Sequence, residues 1–387
     1  MNKTTNSERI YALDALRATM MLLGIVLHAA ITYGSHDYGT FWPLKNPQNS
    51  ILFDLVVALI HFFRMPVFFV VAGYFGAFLF YNKGAKPMLM NRFKRIFLPL
   101  LAGVLIVYPL AIFAFSYTTA AFAEGAKPLD TAWKAILSGK FLPFNVLHLW
   151  FLYFLVLYSF LGWLIASVFH RDTAFTTSSN RILIYILQKP WLRISCLTVL
   201  YFICLFWIGE PSLSTNNKWS IDFPIFITYF LFFETGWVIF KTKSLILLKK
   251  YPKRQLGLAT LFFFAFIFIP WGDSSVMLYV REGLAALFGT LFIFGFMALY
   301  MNYFNTYSRG LSYIMDASYW VYIIHLPIVA FMPGLIADYA IPVFLKFLIS
   351  ISATVFICFI SYHYAVRNTF IGKFLNGKTH GIKSYTQ

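Results

Sequence analysis

Ten apolar runs dominate the chain, most of them about 20 residues long, the length a helix needs to cross a hydrocarbon core of about 30 Å. They are Tyr11–Tyr33, Ile51–Tyr81, Ile96–Tyr117, Val146–His170, Trp191–Ile208, Ile221–Phe240, Leu256–Trp271, Val276–Phe304, Leu311–Leu335 and Ala340–Val366. Backbone in lipid must satisfy its own N–H and C=O groups, so runs of this length are α-helices. The chain is 60% hydrophobic and 12% charged, too few charges for 387 residues to cover a soluble fold. The expected fold is an all-α integral membrane protein, a bundle of about ten transmembrane helices. It forms a single membrane domain over residues 1–387, with residues 367–387 a short basic cytoplasmic tail. The second run is long for one crossing and is expected to kink at Pro66. No small-residue cleavage site follows a short apolar core near the start, so the first run reads as a retained helix.

The charges fix the orientation. With the N-terminus inside, the inner connections and adjoining span ends hold 22 of the 31 Lys and Arg residues, the outer ones six, and three (Arg17, Arg64 and Lys346) lie deeper within spans. Both termini are therefore expected to be cytoplasmic. The net charge of +17 becomes a property of the cytoplasmic face, suited to anionic membrane lipids or an anionic cytoplasmic ligand, and it gives no support to a nucleic-acid partner. The three cysteines, Cys196, Cys204 and Cys358, lie in apolar runs without metal-ligand spacing or a disulfide framework. HExxH, Walker and GxGxxG patterns are absent from the sequence, so neither a metal site nor a nucleotide fold is indicated. The outer loop Thr118–Asn145 is too short for a folded domain.

An ionisable side chain inside a span is costly and is a functional candidate by default. Arg17 and His28 stand eleven positions apart, three helical turns plus about 20°, so both lie on one face, about 16 Å apart along the axis. Asp14, one turn before Arg17, is its expected partner. His28 and Arg64 both lie about 25 Å from the inner ends of their helices, His61 one turn from Arg64, and His325 about 21 Å up the ninth span. His148 opens the fourth span from outside, and Glu234 falls nearer the middle. A second group, Arg17, Arg92, Lys94 and Arg95, gathers at the inner face. Single histidines in membrane bundles are often helix–helix hydrogen-bond donors, and inner basic residues are often topology signals. Four histidines and an arginine at comparable heights on four helices are harder to explain as packing. Lys346 is expected to snorkel outward, Phe68 and Phe69 to pack, and Arg281 with Glu282 to form a boundary pair.

Leu13-Asp14-x-x-Arg17 followed by Arg17-x10-His28 resembles the membrane-bound acyltransferase 3 family, whose first helix carries Arg-x10-His. "VFFVVAGYF", Val67–Phe75, is similar to its Phe-Phe-x-x-Ser/Ala-Gly-Phe/Tyr, with Ala72 where many members have Ser. "NRFKRIFLP", "HLWFLYFL" and "SYWVYIIHLPI" resemble its basic stretch, its His-x-Trp segment and its late Tyr-x-x-His segment. Arg-x10-His alone is weak; the ordered set, covering nearly all spans, is strong.

The resemblance implies an O-acyltransferase of the bacterial inner membrane. Its donor would be cytoplasmic acyl-CoA, succinyl-CoA or acetyl-CoA, and its acceptor a hydroxyl of a periplasmic glucan or another extracytoplasmic glycan. No permanently bound cofactor is implied. On that reading Arg17, with Asp14, holds the inner end of the donor. Arg92 and Arg95 bind its phosphates bidentately, and Lys94 adds a point charge. His28 is the general base, Arg64 the donor to the oxyanion, and His61 and His325 orient groups or share the proton. His148, Trp150 and Glu234 meet the acceptor. An acyl-His28 intermediate is the rival route. The alternative function is a secondary transporter, or a flippase for an acylated lipid or small molecule. Its usual marks, paired broken helices or internal symmetry, are not visible in the sequence.

Overall fold

A computed structural model describes residues 10–169, 174–269 and 274–376. Fourteen α-helices occur among them. They are α1 (Tyr11–Tyr33), α2 (Ile51–Lys83), α3 (Ala85–Arg92), α4 (Leu98–Ala121), α5 (Pro128–Ala135), α6 (Trp150–Val168), α7 (Ala174–Gln188), α8 (Pro190–Ile208), α9 (Phe223–Lys241), α10 (Pro252–Phe268), α11 (Ser275–Tyr303), α12 (Arg309–Leu335), α13 (Val343–Ser361) and α14 (Phe370–Asn376). The helix starts carry local signals. The Ser50 hydroxyl accepts from the Leu52 amide, and the Asp222 carboxylate accepts from Ile225, each satisfying an end that has no intrahelical partner. Proline opens α8 and α10, where the missing N–H costs nothing. The expected span ends at His170 and Trp271, and the tail beyond residue 376, lie outside the described residues.

Nine helical stretches among the described residues are long and apolar enough to cross a membrane. The seventh expected span, Leu256–Trp271, corresponds to α10, which has 17 residues. It nevertheless runs antiparallel along most of α11, which has 29 residues. Near one end of α11, Arg281 donates to the carbonyl of Ile269, just past α10; near the other, Asn302 donates to the carbonyl of Lys249, just before it. The ends of the described chain share one face. Tyr11 packs edge-on against Tyr307, and the Arg367 guanidinium lies over Tyr313, both on the connection into α12 or its first turns.

Three connections are more ordered than the hydropathy suggests. The third span begins at Ala85, because α3 joins α4 through a π-helical turn, Phe93–Phe97. Arg92, Lys94 and Arg95 therefore ride on a helix, not on a loop. Residues before α8 form α7, and the outer loop after α4 contains α5. α2 runs as one helix of 33 residues through Pro66.

α1 sits inside the bundle, packed by α2, α11, α12 and α13. Of its most apolar window, 72% is buried, against 28% for the peripheral α8 and α13. The helix carrying Arg17 and His28 is thus enclosed by protein. Lipid tails give no hydrophobic drive for helices to associate, so close backbone packing at small residues does the holding. The extensive contact of α2 with α9 works this way. A Cβ on Gly73 would meet the Phe233 carbonyl, and one on Gly236 would meet the carbonyl of Val70. This reciprocal contact explains the Gly in "VFFVVAGYF". Next to it Phe69 packs on Trp150, Phe151, Tyr158 and Tyr229, as expected of a core aromatic.

Gly73→Ala and Gly236→Ala are each expected to force the two backbones apart. Overpacking of this kind costs about 1–3 kcal/mol. Thermal unfolding of the purified protein in detergent should show a drop in midpoint for both; unchanged midpoints would contradict the packing described.

Candidate active site

The outer half of the bundle gathers an arginine and four histidines around one bare stretch of α1. Gly24 stands one turn below His28 on the same face. A methyl group on Gly24 would lie 2.8 Å from Arg64 Nη1 and 3.3 Å from His325 Nε2. Both atoms are buried and have no hydrogen-bond partner. His28 is tilted against His325 with ring centroids 5.4 Å apart, and His148 meets His325 edge-on at 5.0 Å. His28 Nδ1 and His148 Nδ1 are likewise buried without partners. Two helices, α2 and α12, together with α1 and the start of α6, thus bring four orphaned polar nitrogens to one place.

Backbone carbonyls set the tautomers, because a carbonyl can only accept. His325 Nδ1 donates to the carbonyls of Tyr322 at 2.8 Å and Val321 at 3.2 Å, which leaves a lone pair on Nε2. His148 Nε2 donates to Tyr322 and Ile323, both at 3.1 Å, leaving the lone pair on Nδ1. Tyr322 returns the contact, its hydroxyl donating to the His148 carbonyl at 2.7 Å. His61 Nε2 donates to the Leu213 carbonyl at 2.6 Å, tying the segment between α8 and α9 over the site. Tyr229 donates to Ser214 on the same segment, and Trp219 and Val146 tie that segment to residues 143–146. His28 is the one with no bond to orient it; its Nδ1 is sealed off, so its accessible nitrogen is Nε2.

His148 was expected at the outer mouth. The structure puts it inside the cluster. Leu147 adopts φ 47°, a left-handed conformation rare for a branched side chain, and this turns the chain so that the next residue points inward. Trp150 is 4% exposed and packs on Phe69, Phe154 and Tyr229, so it belongs to the core and not to the mouth. Glu234 is also displaced from its expected role. α9 descends from the outer side, and Glu234 comes one turn before Trp237, which packs on Phe80 and Tyr81 at the inner end of α2. It stands apart from the histidines.

The second station lies three turns below His28. Arg17 Nη2 bonds the Asp14 carboxylate at 3.1 Å, as the spacing predicts, and keeps 35% of its side chain exposed. The Arg17 guanidinium lies 5.9 Å from the Phe75 ring centroid. Arg92 turns inward from α3 with Nε and Nη2 buried and unpartnered. Arg95 belongs to the same rim: its carbonyl accepts from the Tyr319 hydroxyl at 2.8 Å. Lys94 is exposed on the π-turn. Between the stations the α1 face carries Met20, Met21 and Gly24, two flexible side chains and one with none. On α12, Tyr319, Tyr322 and His325 climb about 9 Å alongside it.

Other charges resolve differently from expectation. Lys346 is 3% exposed and donates to the Ala337 carbonyl at 2.9 Å, so it ends on backbone and not in open water. Arg281 lies over Phe266 and donates to Ile269, while Glu282 is wholly buried. Among the described residues, no group of three or more His, Cys, Asp or Glu is placed to hold a metal ion. Sequence reading missed Gly24, Trp42, Tyr229 and Tyr322. Gly24 was findable as the small residue on the Arg17–His28 stripe, and Tyr322 as the tyrosine of the Tyr-x-x-His segment; Trp42 and Tyr229 carry no sequence signal of their own.

An enclosed helical bundle with two polar stations on one helix is the frame of a membrane enzyme. A family model described as an acyltransferase domain matches residues 10–363, so the chain belongs to the acyltransferase 3 family of multi-pass membrane acyltransferases. This sets aside the transporter and flippase alternative. Glucans biosynthesis protein C of Escherichia coli strain SMS-3-5 / SECEC is 27% identical over 96% of this chain and 95% of its own. The protein of that name from Escherichia coli K12 is also 27% identical over the same shares, and that of Shigella dysenteriae serotype 1 is 26% identical. No solved structure matches the chain.

Gly24→Ala fills the space that Arg64 and His325 share. It is expected to lower acyl transfer about 10-fold or more while the thermal midpoint moves by only a few degrees, since one methyl meets the ends of side chains and not backbone. Full activity of this variant would show that the space is not used.

Proposed function

We propose that this protein transfers an acyl group from cytoplasmic acyl-CoA to a hydroxyl of a periplasmic glucan, in the inner membrane of a bacterium. The acceptor class follows the glucan named in its relatives. A succinyl group is the acyl group we favour over acetyl. The observation that carries the proposal is the convergence of unpartnered Arg64 Nη1, His325 Nε2 and the His28 ring beside the side-chain-free Gly24. Buried polar groups are ordinarily hydrogen-bonded, so several orphaned groups facing one space suit it to a polar ligand.

The chain's residues divide the task as follows. The CoA phosphates meet Arg17, Arg92 and Arg95 at the inner rim, where planar guanidinium groups suit bidentate contact, and Lys94 adds charge at the surface. Asp14 holds the Arg17 guanidinium in place. The donor's flexible arm rises along the α1 face past Met20 and Met21, bringing the thioester carbonyl to Gly24. Arg64 Nη1 donates to the carbonyl oxygen and stabilises the negative charge that builds there. His28 Nε2 takes the proton from the acceptor hydroxyl while the acceptor oxygen attacks the carbonyl carbon. As the carbon–sulfur bond breaks, the imidazolium returns its proton to the leaving thiolate, so an ester and free CoA thiol result. His325 and His148, their tautomers fixed by carbonyls, offer lone pairs to the acceptor hydroxyls. His61 fastens the outer covering segment. Trp150 and Glu234 have no part in acceptor binding.

The test is transfer of radiolabel from acyl-CoA to a purified glucan by the protein in nanodiscs. His28→Ala is expected to abolish transfer with expression intact, and retained activity would remove His28 from the chemistry. Arg17→Ala should weaken donor binding, read as a higher KM for acyl-CoA; an unchanged KM would refute its role. Arg64→Lys should lose about 100-fold in kcat, the scale of losing one oxyanion donor, because the fork geometry is lost.

A further inference from the structure

The connection between α1 and α2, residues 34–50, folds back onto the top of α1. Asp54 on the first turn of α2 accepts from the amides of Ser35 at 2.8 Å and His36 at 3.2 Å. Lys45 Nζ donates to the Ser35 carbonyl at 2.7 Å, and the amides of Asn46 and Ser50 bond the carbonyls of Thr32 and Tyr33. Fastened at both ends, the loop drives one large side chain inward: Trp42 is 4% exposed. Its indole Nε1 donates to Thr32 Oγ1 at 3.0 Å, and its edge meets Phe115 of α4 at 4.9 Å and 81°. The face left over lies on His28, with ring centroids 5.1 Å apart and planes 12° from parallel. Thr32 follows His28 by one turn on α1, so the residue that fixes the indole stands directly above the imidazole it covers.

What else faces His28 makes this contact matter. Among the described residues, the titratable groups that act on it are Arg64 and His61 from α2, His325 from α12 and His148 from the start of α6. None is a carboxylate. A catalytic histidine is commonly held by an acidic partner, which orients the ring and stabilises the imidazolium formed when it takes a proton. Here the positive ring would face an arginine and three imidazoles, and the indole is the neighbour with a negative face to offer.

We propose that Trp42 is the positioning residue of His28, fixing the plane of the imidazole and stabilising the imidazolium through the face of its indole. The inference rests on His28 being the general base. In the transfer step the acceptor O–H bond breaks and the N–H bond forms at Nε2, so positive charge develops on a ring stacked on Trp42. The same proton then passes to the departing thiolate, and the charge disappears. An aromatic face that attracts the charge therefore acts on kcat and leaves donor binding at the inner rim untouched.

The experiment replaces Trp42 alone with tryptophans bearing one, two and three fluorines, in full-length protein in nanodiscs, and measures kcat and KM for acyl-CoA. Fluorine withdraws electron density from the face with little change of shape. A stepwise fall in kcat, reaching about 10-fold, with a KM constant within about twofold, is the expected result. A kcat that does not respond to fluorination overturns the inference. Trp42→Leu should lose more activity than Trp42→Phe, and the fluorinated series decides the question even if Trp42→Leu fails to fold. His28→Ala is assayed alongside. If it stays active, the general-base reading has failed; if it is inactive while the fluorinated series is flat, only the role of Trp42 has failed.

Discussion

Arg64 places a guanidinium deep in an apolar bundle with Nη2 on the weakly accepting Met65 sulfur and Nη1 unpartnered, and the organisation of the outer half follows from that. A charge of this kind is expensive to bury and is kept only where it has a use. The fold supplies the conditions for one. α1 opposite it carries Gly24, which leaves a space beside the charge that another residue would fill. His325 points its own unsatisfied nitrogen at the same space. A carbonyl oxygen brought there would find the donor, and a hydroxyl would find the acceptor. Neither can collapse onto protein, because the backbone of α12 holds His325 by its other nitrogen.

Rigidity is what keeps such a space open. α2 and α9 meet backbone to backbone at Gly73 and Gly236, and the aromatic layer of Phe69, Tyr158 and Tyr229 fills the volume beside them. The position of Arg64 is thereby set by a contact about two turns away on the same helix. α1, enclosed on several sides, presents Arg17 and His28 to protein and not to lipid. The π-turn before α4 has a related effect at the inner rim. It adds a residue to the helical turn, and such bulges often accompany functional positions. Arg92 points inward just before it, while Lys94 stays outside.

Much of this was legible in the residues. Hydropathy gave the spans, because lipid tolerates little besides long apolar helices. The exact phase of Arg17 and His28 on one face followed from helical periodicity. Depth counted along a helix placed His61, Arg64 and His325 together correctly. The same count failed for His148 and Trp150, because a left-handed turn at Leu147 redirects the chain where helical geometry was assumed. It failed for Glu234 because a residue near mid-helix can serve either half, and the decision rests with neighbours such as Trp237. Trp42 was invisible because a loop has no period. Nothing in the order of residues 34–50 says that Asp54 will gather its amides and turn an indole onto a histidine. Tautomers also lie beyond sequence, since they depend on which carbonyl a ring nitrogen meets.

In the proposed reaction the acyl group reaches Gly24. An acyl-CoA with a photoreactive diazirine in its acyl chain, irradiated with the protein in nanodiscs and mapped by peptide mass spectrometry, tests it directly. Label is expected on α1 around residues 20–28 and on α12 around residues 321–325, displaced by unmodified acyl-CoA. Label confined instead to the apolar groove at the inner end of α3, which Lys86, Met90 and Trp163 line, would contradict it.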